Sequence, residues 1–406
     1  MEKNNKTLNV PNLRFPEFDG EWEKVSLSEI ATRVTRKNKN NESRLPLTIS
    51  AQYGLVDQVT FFNKVVASSD MSNYYLLQRG EFAYNKSYSG DYPWGAIKRL
   101  DRYDQGALSS LYICFAPTDI IENSDFLVHY FESPKWHREV SNIAGEGARN
   151  HGLLNIAVPD FFNTQHCITT KKKEQRKIAD FLNLINERIE TQKKVIEDFK
   201  KLKDAISKSL FSRHDLLETK VQISQIGSLK NGYAFQSSSY DSSGEYEIIT
   251  IANVSGERNI YTEECNRIHT LPSDLQSHQE LKDGDILISM TGNVGRVSLC
   301  KEGKYLLNQR VGLLQLQAGV NREFVYQALS SRQFELSMIS CGQGAAQMNI
   351  GKGDIENFAI PYSSNPQNLQ RISLILKSYD TLVLTENMRL QLLLGQKQYI
   401  LSNMFI

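Results

Sequence analysis

The sequence predicts a mixed α/β protein written twice. Two similar α/β modules are each followed by a long helix, and the two helices pair as an antiparallel coiled coil about a pseudo-twofold axis. Three observations predict this. An apolar seam of period 3.5 occurs twice at a constant offset of 194 residues. Short motifs outside the seams recur at offsets of 196 to 198. Between the seams, strand-like apolar runs are bounded by glycine turns.

The helices carry the strongest signal. From Ile178, alternating steps of four and three reach Leu182, Ile185, Ile189, Gln192, Ile196, Phe199, Lys203, Ile206 and Leu210. The same steps from Ile372 reach Leu376, Tyr379, Val383, Glu386, Leu390, Leu393, Lys397, Ile400 and Met404. Eight of the ten seam positions are apolar in both copies, and the polar breaks fall at the same steps, Gln192 with Glu386 and Lys203 with Lys397. A polar seam residue costs stability and fixes register, so shared breaks argue against two unrelated amphipathic helices. Neither copy contains proline, and the glycine present is Gly395. Each helix spans at least 33 residues, or about 50 Å at 1.5 Å per residue.

Outside the seams, Val25–Ala31 resembles Val221–Gly227, Phe126–Val128 resembles Phe324–Tyr326, and Gly145–Ala148 resembles Gly342–Ala345. Strands are predicted over Leu108–Phe115, Tyr246–Ile251, Asp285–Met290 and Leu306–Leu316. The predicted organisation is a module at 1–165, a helix at 166–214, a second module at 215–362 and a second helix at 363–406.

Composition narrows the function. The chain has 406 residues, 40% of them apolar and 23% charged, with a net charge of +1. Binding to nucleic acid or an anionic membrane by bulk charge alone is disfavoured. No apolar run approaches the roughly 18 to 20 residues of a membrane span. Met1–Lys6 lacks the apolar core of a signal peptide, and the five cysteines are scattered, so a reducing cytoplasm is expected.

No catalytic constellation stands out. Gly351-Lys352-Gly353 lacks the glycine and the Ser/Thr of a phosphate loop. Pro159-Asp160 is not followed by the acidic-x-lysine element of a nuclease, and no Asn-Pro-Pro-aromatic tetrad for base methylation occurs. The seven histidines show no metal-ligand spacing, so no metal or cofactor is expected in this chain.

Several segments together carry a family resemblance. Val10-Pro11-Asn12-Leu13-Arg14-Phe15-Pro16-Glu17-Phe18, with Gly20-Glu21-Trp22, resembles the opening of the specificity subunits of type I restriction-modification systems. Lys173–Leu182 is similar to their central repeat helix. Asp283–Ile288 followed by Thr291-Gly292-Asn293 resembles a strand and turn of their target-recognition domains. Gly344–Ile350, with its variant Gly147–Leu153, resembles a late loop of those domains. The resemblance covers nearly the whole chain. It implies a non-catalytic subunit that chooses a bipartite, asymmetric double-stranded DNA target, one half-site per target-recognition domain. It further implies partnership with two methyltransferase subunits and two ATP-dependent restriction subunits. S-adenosylmethionine, ATP and Mg would serve those partners. Half-site centres about one helical turn apart, ~34 Å, would suit a duplicated reader on a fixed spacer.

Base reading needs paired donors and acceptors or apolar contact with the thymine methyl group. Candidate readers in the first module are Gln52, Tyr53, Asn85, Lys86, Tyr88, Trp94, Arg149 and His151. Those in the second are Tyr233, Phe235, Asn253, Asn293, Arg296, Gln309, Arg310, Gln343, Gln347 and Asn349. The basic run Lys171-Lys172-Lys173 with Arg176 and Lys177 reads either as a solvated face or as a phosphate contact. The competing readings are a stand-alone sequence-specific DNA-binding protein and a two-module protein-interaction scaffold.

Overall fold

Two long helices run through the computed structural model, which describes residues 8–90, 92–144, 152–342 and 348–406. The central helix is Lys172–Phe211 and the C-terminal helix Pro366–Met404. The chain divides into unit 1, Met1–Thr191 with Arg389–Ile406, and unit 2, Gln192–Met388. Each unit therefore takes half of each helix.

Unit 1 contains β1 (Glu23–Ser26), β2 (Ala31–Arg33), β3 (Pro46–Ser50), β4 (Gly54–Asp57), β5 (Tyr75–Gln78), β6 (Phe82–Asn85), β7 (Ala96–Arg99), β8 (Gln105–Leu108), β9 (Ile113–Pro117) and β10 (Gln165–Ile168). Unit 2 contains β11 (Thr219–Gln222), β12 (Gly227–Asn231), β13 (Tyr246–Ile249), β14 (Asn266–Ile268), β15 (Ile286–Ser289), β16 (Val297–Leu299), β17 (Tyr305–Leu307), β18 (Val311–Leu316) and β19 (Ala359–Tyr362).

The sheets repeat except for one strand. The order β2-β9-β6-β7 in unit 1 matches β12-β18-β15-β16 in unit 2. The antiparallel pair β1-β10 matches β11-β19, and the parallel pair β3-β8 matches β13-β17. Each parallel pair carries an antiparallel neighbour, β4 or β14. Unit 1 adds β5 beside β8, where unit 2 has an isolated bridge between Glu280 and Leu306.

These strands follow from their residues. Ile286–Ser289 is buried at every position, as an apolar run covered on both faces should be. The predicted strands at 108–115 and 306–316 are each split by a turn, at 109–112 and 308–310. Gly95 turns the chain between β6 and β7 at φ +77, where a Cβ would lie 2.1 Å from the Asn85 carbonyl oxygen, so glycine is required there.

All sixteen apolar seam residues are buried or half-buried. In unit 1, Ile178, Leu182 and Ile185 share one core with Ile400 and Met404. In unit 2, Ile206 and Leu210 share one with Ile372 and Leu376. In both cases the start of one helix meets the end of the other, so the packing is antiparallel. Each fully buried Leu or Ile contributes about 1.5–3 kcal/mol. The polar break is satisfied inside unit 2, where Gln192 Nε2 donates to the Glu386 carboxylate at 2.7 Å and to its carbonyl oxygen at 3.0 Å.

Two of the motifs behind the family resemblance pack against each other in unit 1. Arg14 makes a two-toothed contact with Glu174 (2.7 and 2.9 Å), and Trp22 Nε1 donates to the same carboxylate at 3.3 Å. Glu174 is fully buried, so this pairing offsets the cost of removing its charge from water.

Candidate nucleic-acid interface

A matching backbone clamp lies beyond one central strand in each unit. After β6, Leu154 N donates to Lys86 O (2.9 Å), Ser87 bridges Leu153, and Tyr88 N donates to Gly152 O (3.1 Å). After β15, Ile350 N donates to Met290 O (3.0 Å), Thr291 bridges Asn349, and Gly292 N donates to Met348 O (2.9 Å). The three contacts correspond one for one. Each clamp ties a strand end to the segment that follows the glycine-rich motif recurring between the modules. The readers Arg149, His151, Gln343 and Gln347 lie outside the described residues.

In unit 2 the clamp gathers further candidates. Arg310 O accepts from Met290 N (3.1 Å), and Gln309 N donates to Tyr233 O (2.9 Å). Gln309 and Arg310 are exposed in the β17–β18 turn, and Asn293 is exposed just past Gly292. Asn349 is also exposed, with its Oδ1 accepting from Thr291 Oγ1 at 3.0 Å. The Tyr233 hydroxyl donates to Asp274 (2.8 Å), which raises the phenol pKa through that bond, and its ring lies 4.9 Å from Phe235. Arg296 is half-buried beside Gly256, with Nε 4.0 Å from Glu335. An exposed amide and an exposed guanidinium on adjacent turn residues can make bidentate contacts to adenine and guanine edges.

In unit 1, Asn85, Lys86 and Tyr88 are half-buried at the clamp, and the Asn85 side chain accepts from Ser87 N at 3.0 Å. Gln52 and Tyr53 are exposed in the β3–β4 turn. The Tyr53 ring lies 6.5 Å from Phe61, which lies 5.0 Å from Phe62. Phe61 and Phe62 are each 44% exposed. Sequence reasoning missed this aromatic surface because adjacent phenylalanines read as core. The polar Gln58, Thr60, Asn63 and Lys64 interleaved with them are the signal that could have found it.

Asn253, Trp94, Phe235 and the basic run stand in settings that the sequence does not show. Asn253 is buried, with Oδ1 accepting from Thr250 N and Oγ1 (2.8 Å each) and Nδ2 donating to Tyr261 O (2.8 Å). Its amide holds a turn. Trp94 packs against the first core, and its carbonyl accepts from the Tyr84 hydroxyl at 2.8 Å. Phe235 packs on the small cluster of Ile248, Ile268 and Leu306. Four of the five cations of the basic run are paired: Lys171 with Asp19, Lys172 and Arg176 with Glu122, and Lys177 with Glu17.

Among the described residues, no group of three His, Cys, Asp or Glu side chains is placed to hold a metal ion, and no helix is long and apolar enough to cross a membrane.

Residues 218–394 match the family described as the type I restriction modification DNA specificity domain. No curated protein matches the chain. Among solved structures, a chain from work on complex assembly and conformational transition of the type I R-M system aligns with a TM-score of 0.58 at 15% identity, over 94% of this chain and 96% of that one. The type I restriction-modification S subunit from M. genitalium aligns with a TM-score of 0.52 at 16% identity, over 98% and 99%. At such identities the likeness is one of fold. Residues 218–394 thus resemble a type I restriction modification DNA specificity domain, within a chain that has the fold of a type I S subunit over nearly its whole length.

Proposed function

We propose that this chain is the sequence-reading subunit of a type I restriction-modification complex in the cytoplasm. It performs no chemistry itself. It binds a bipartite, asymmetric DNA target, one half-site per unit, and scaffolds two methyltransferase and two restriction subunits. S-adenosylmethionine, ATP and Mg act in those partners. The duplicated strand-end clamp carries the reading. Two units of the same topology present different side chains around the clamp: Lys86 and Tyr88 in one, Asn293, Gln309, Arg310 and Asn349 in the other. A near-repeat in backbone with a difference in side chains suits two half-sites of different sequence.

The net charge of +1 fits a subunit that shares its phosphate contacts with partners. Genome-wide mapping of methylated adenine with and without this gene tests the proposal. The expected outcome is a gapped, asymmetric motif that loses methylation when the gene is deleted. An unchanged methylation map would refute it.

A further inference from the structure

The duplication supplies an internal control for a cavity in unit 2. In unit 1, Phe405 packs against Phe126 at 5.6 Å and is covered by Tyr130 at 5.6 Å and Trp22 at 6.3 Å. The repeat offsets assign the unit 2 counterparts as Phe211, Phe324, Ala328 and Glu218. Phe211 and Phe324 keep the same 5.6 Å packing. The two covering aromatics are replaced by a methyl group and a carboxylate. Glu218 is drawn aside, accepting from Ser363 Oγ (2.8 Å) and Ser364 N (2.6 Å). His166, which hydrogen-bonds Tyr130 in unit 1 (2.8 Å), corresponds by strand register to Ile360.

A cavity of about 960 Å³ stands at this place, walled by Phe211, Ala328, Leu336, Phe358, Ile360 and Pro361. Its lining includes four basic side chains, Lys203, Lys208, Lys220 and Arg332, against two acidic ones, Asp204 and Glu218. Lys203 is tied to Asp380 and Arg332 to Glu335, while Lys208 and Lys220 stand exposed at the rim. Gln327 lies in the wall, and its Oε1 has no hydrogen-bond partner among the described groups.

We propose that this cavity is the docking site for a peptide segment of a partner subunit, one that carries an aromatic side chain flanked by acidic residues. The aromatic follows from the internal comparison, since the chain fills the equivalent place in unit 1 with its own Tyr130 and Trp22. The acidic flanks follow from Lys208 and Lys220, the two exposed rim cations that form no salt bridge among the described residues. An aromatic anchor seated in a pocket within a charged rim is the arrangement that concentrates binding energy in protein interfaces. The inference rests on reading the chain as a subunit of a larger complex. It does not depend on which DNA the chain reads.

The test uses the full chain and a labelled peptide, Glu-Asp-Trp-Asp-Glu, followed by fluorescence anisotropy. The wild-type chain is expected to bind it, with at least tenfold weaker binding when Ala replaces the peptide's Trp. Ala328→Tyr, which refills the cavity as unit 1 does, is expected to weaken binding at least tenfold, with thermal unfolding and DNA binding unchanged. The double variant Lys208→Glu/Lys220→Glu asks the same question without touching the packing, and a similar loss is expected. No binding by the wild-type chain, equal affinity for the Trp and Ala peptides, or full affinity in both variants would overturn the proposal. DNA binding is measured on the same preparations, so a failure of the proposed function is read separately.

Discussion

The two units share a backbone plan but anchor it differently. Where the long helices meet the module in unit 1, the contact is aromatic. Trp22, Tyr130 and Phe405 close the core, and Lys397 reaches Glu132 at 2.9 Å. In unit 2 the positions of Tyr130 and Trp22 hold Ala328 and Glu218, and a separate ionic cluster ties the module to the helices. Arg258 pairs with both Glu323 (2.6 Å) and Asp380 (2.9 Å), Gln327 Nε2 donates to both carboxylates, and Lys203 joins at Asp380. Burial works against the charge on Arg258, but Glu323 and Asp380 outweigh it and raise its pKa. Burial likewise pushes the Glu323 carboxyl up, and Arg258 and Gln327 more than reverse that. One topology thus tolerates two ways of fixing a module to its helices. What is held in common is the sheet order and the strand-end clamp, the features that position the candidate readers.

The largest expected effect breaks the ionic anchor. Asp380→Ala leaves Lys203 without the carboxylate it pairs with and Arg258 with Glu323 alone, and removing one partner of a buried ion pair costs about 3–5 kcal/mol. All three tryptophans, Trp22, Trp94 and Trp136, lie in unit 1. Tryptophan fluorescence therefore reports unit 1, while circular dichroism reports both units. In denaturant, the circular-dichroism transition of Asp380→Ala should shift further than the tryptophan transition. Equal shifts would show that the two anchors are not separate.

A smaller effect sharpens the comparison through pH. Burial pushes the His166 imidazole down to about 4, so between pH 6.5 and 4 the unfolded chain binds a proton that the native chain refuses. The stability this neutral histidine permits is complete above pH 6.5 and falls by up to about 3 kcal/mol as pH drops to 4. Below that, a second loss begins. Burial pushes the Glu132 carboxyl up, yet His129 and Lys397 together hold it down at about 2. Its contribution is present above the ordinary carboxylate range and is lost as pH falls toward 2. Ile360 stands at the His166 position in unit 2 and does not titrate. The tryptophan-reported midpoint should therefore decline between pH 6.5 and 4, and His166→Gln should flatten that decline. A flat wild-type profile over this range would contradict the assignment.

Much of the fold was legible because periodicity is a local signal. The seam from Ile178 to Leu210 and its copy from Ile372 to Met404 need only the sequence, and so does the buried run Ile286–Ser289. The turn at 308–310 was hidden inside the apolar stretch from Leu306 to Leu316, since Asn308-Gln309-Arg310 carries neither glycine nor proline. The site was less legible. An asparagine that reads a base and one that locks a turn have the same side chain, and only the burial of Asn253 separates them. The basic run at Lys171–Lys177 meets carboxylates at Glu17, Asp19 and Glu122, each more than forty residues away in sequence. Asp380 sits beside the seam residue Tyr379 and looks solvent-facing until Arg258 arrives from a distant loop.

The central claim is that each unit reads its own part of one DNA target. The most direct measurement selects bound duplexes from a randomised pool, using the wild-type chain with its methyltransferase partner and the variant Gln309→Ala/Arg310→Ala. The account predicts that one half of the selected motif loses its sequence in the variant while the other half is retained. Selection of the same complete motif by both proteins, or loss of both halves together, would contradict it.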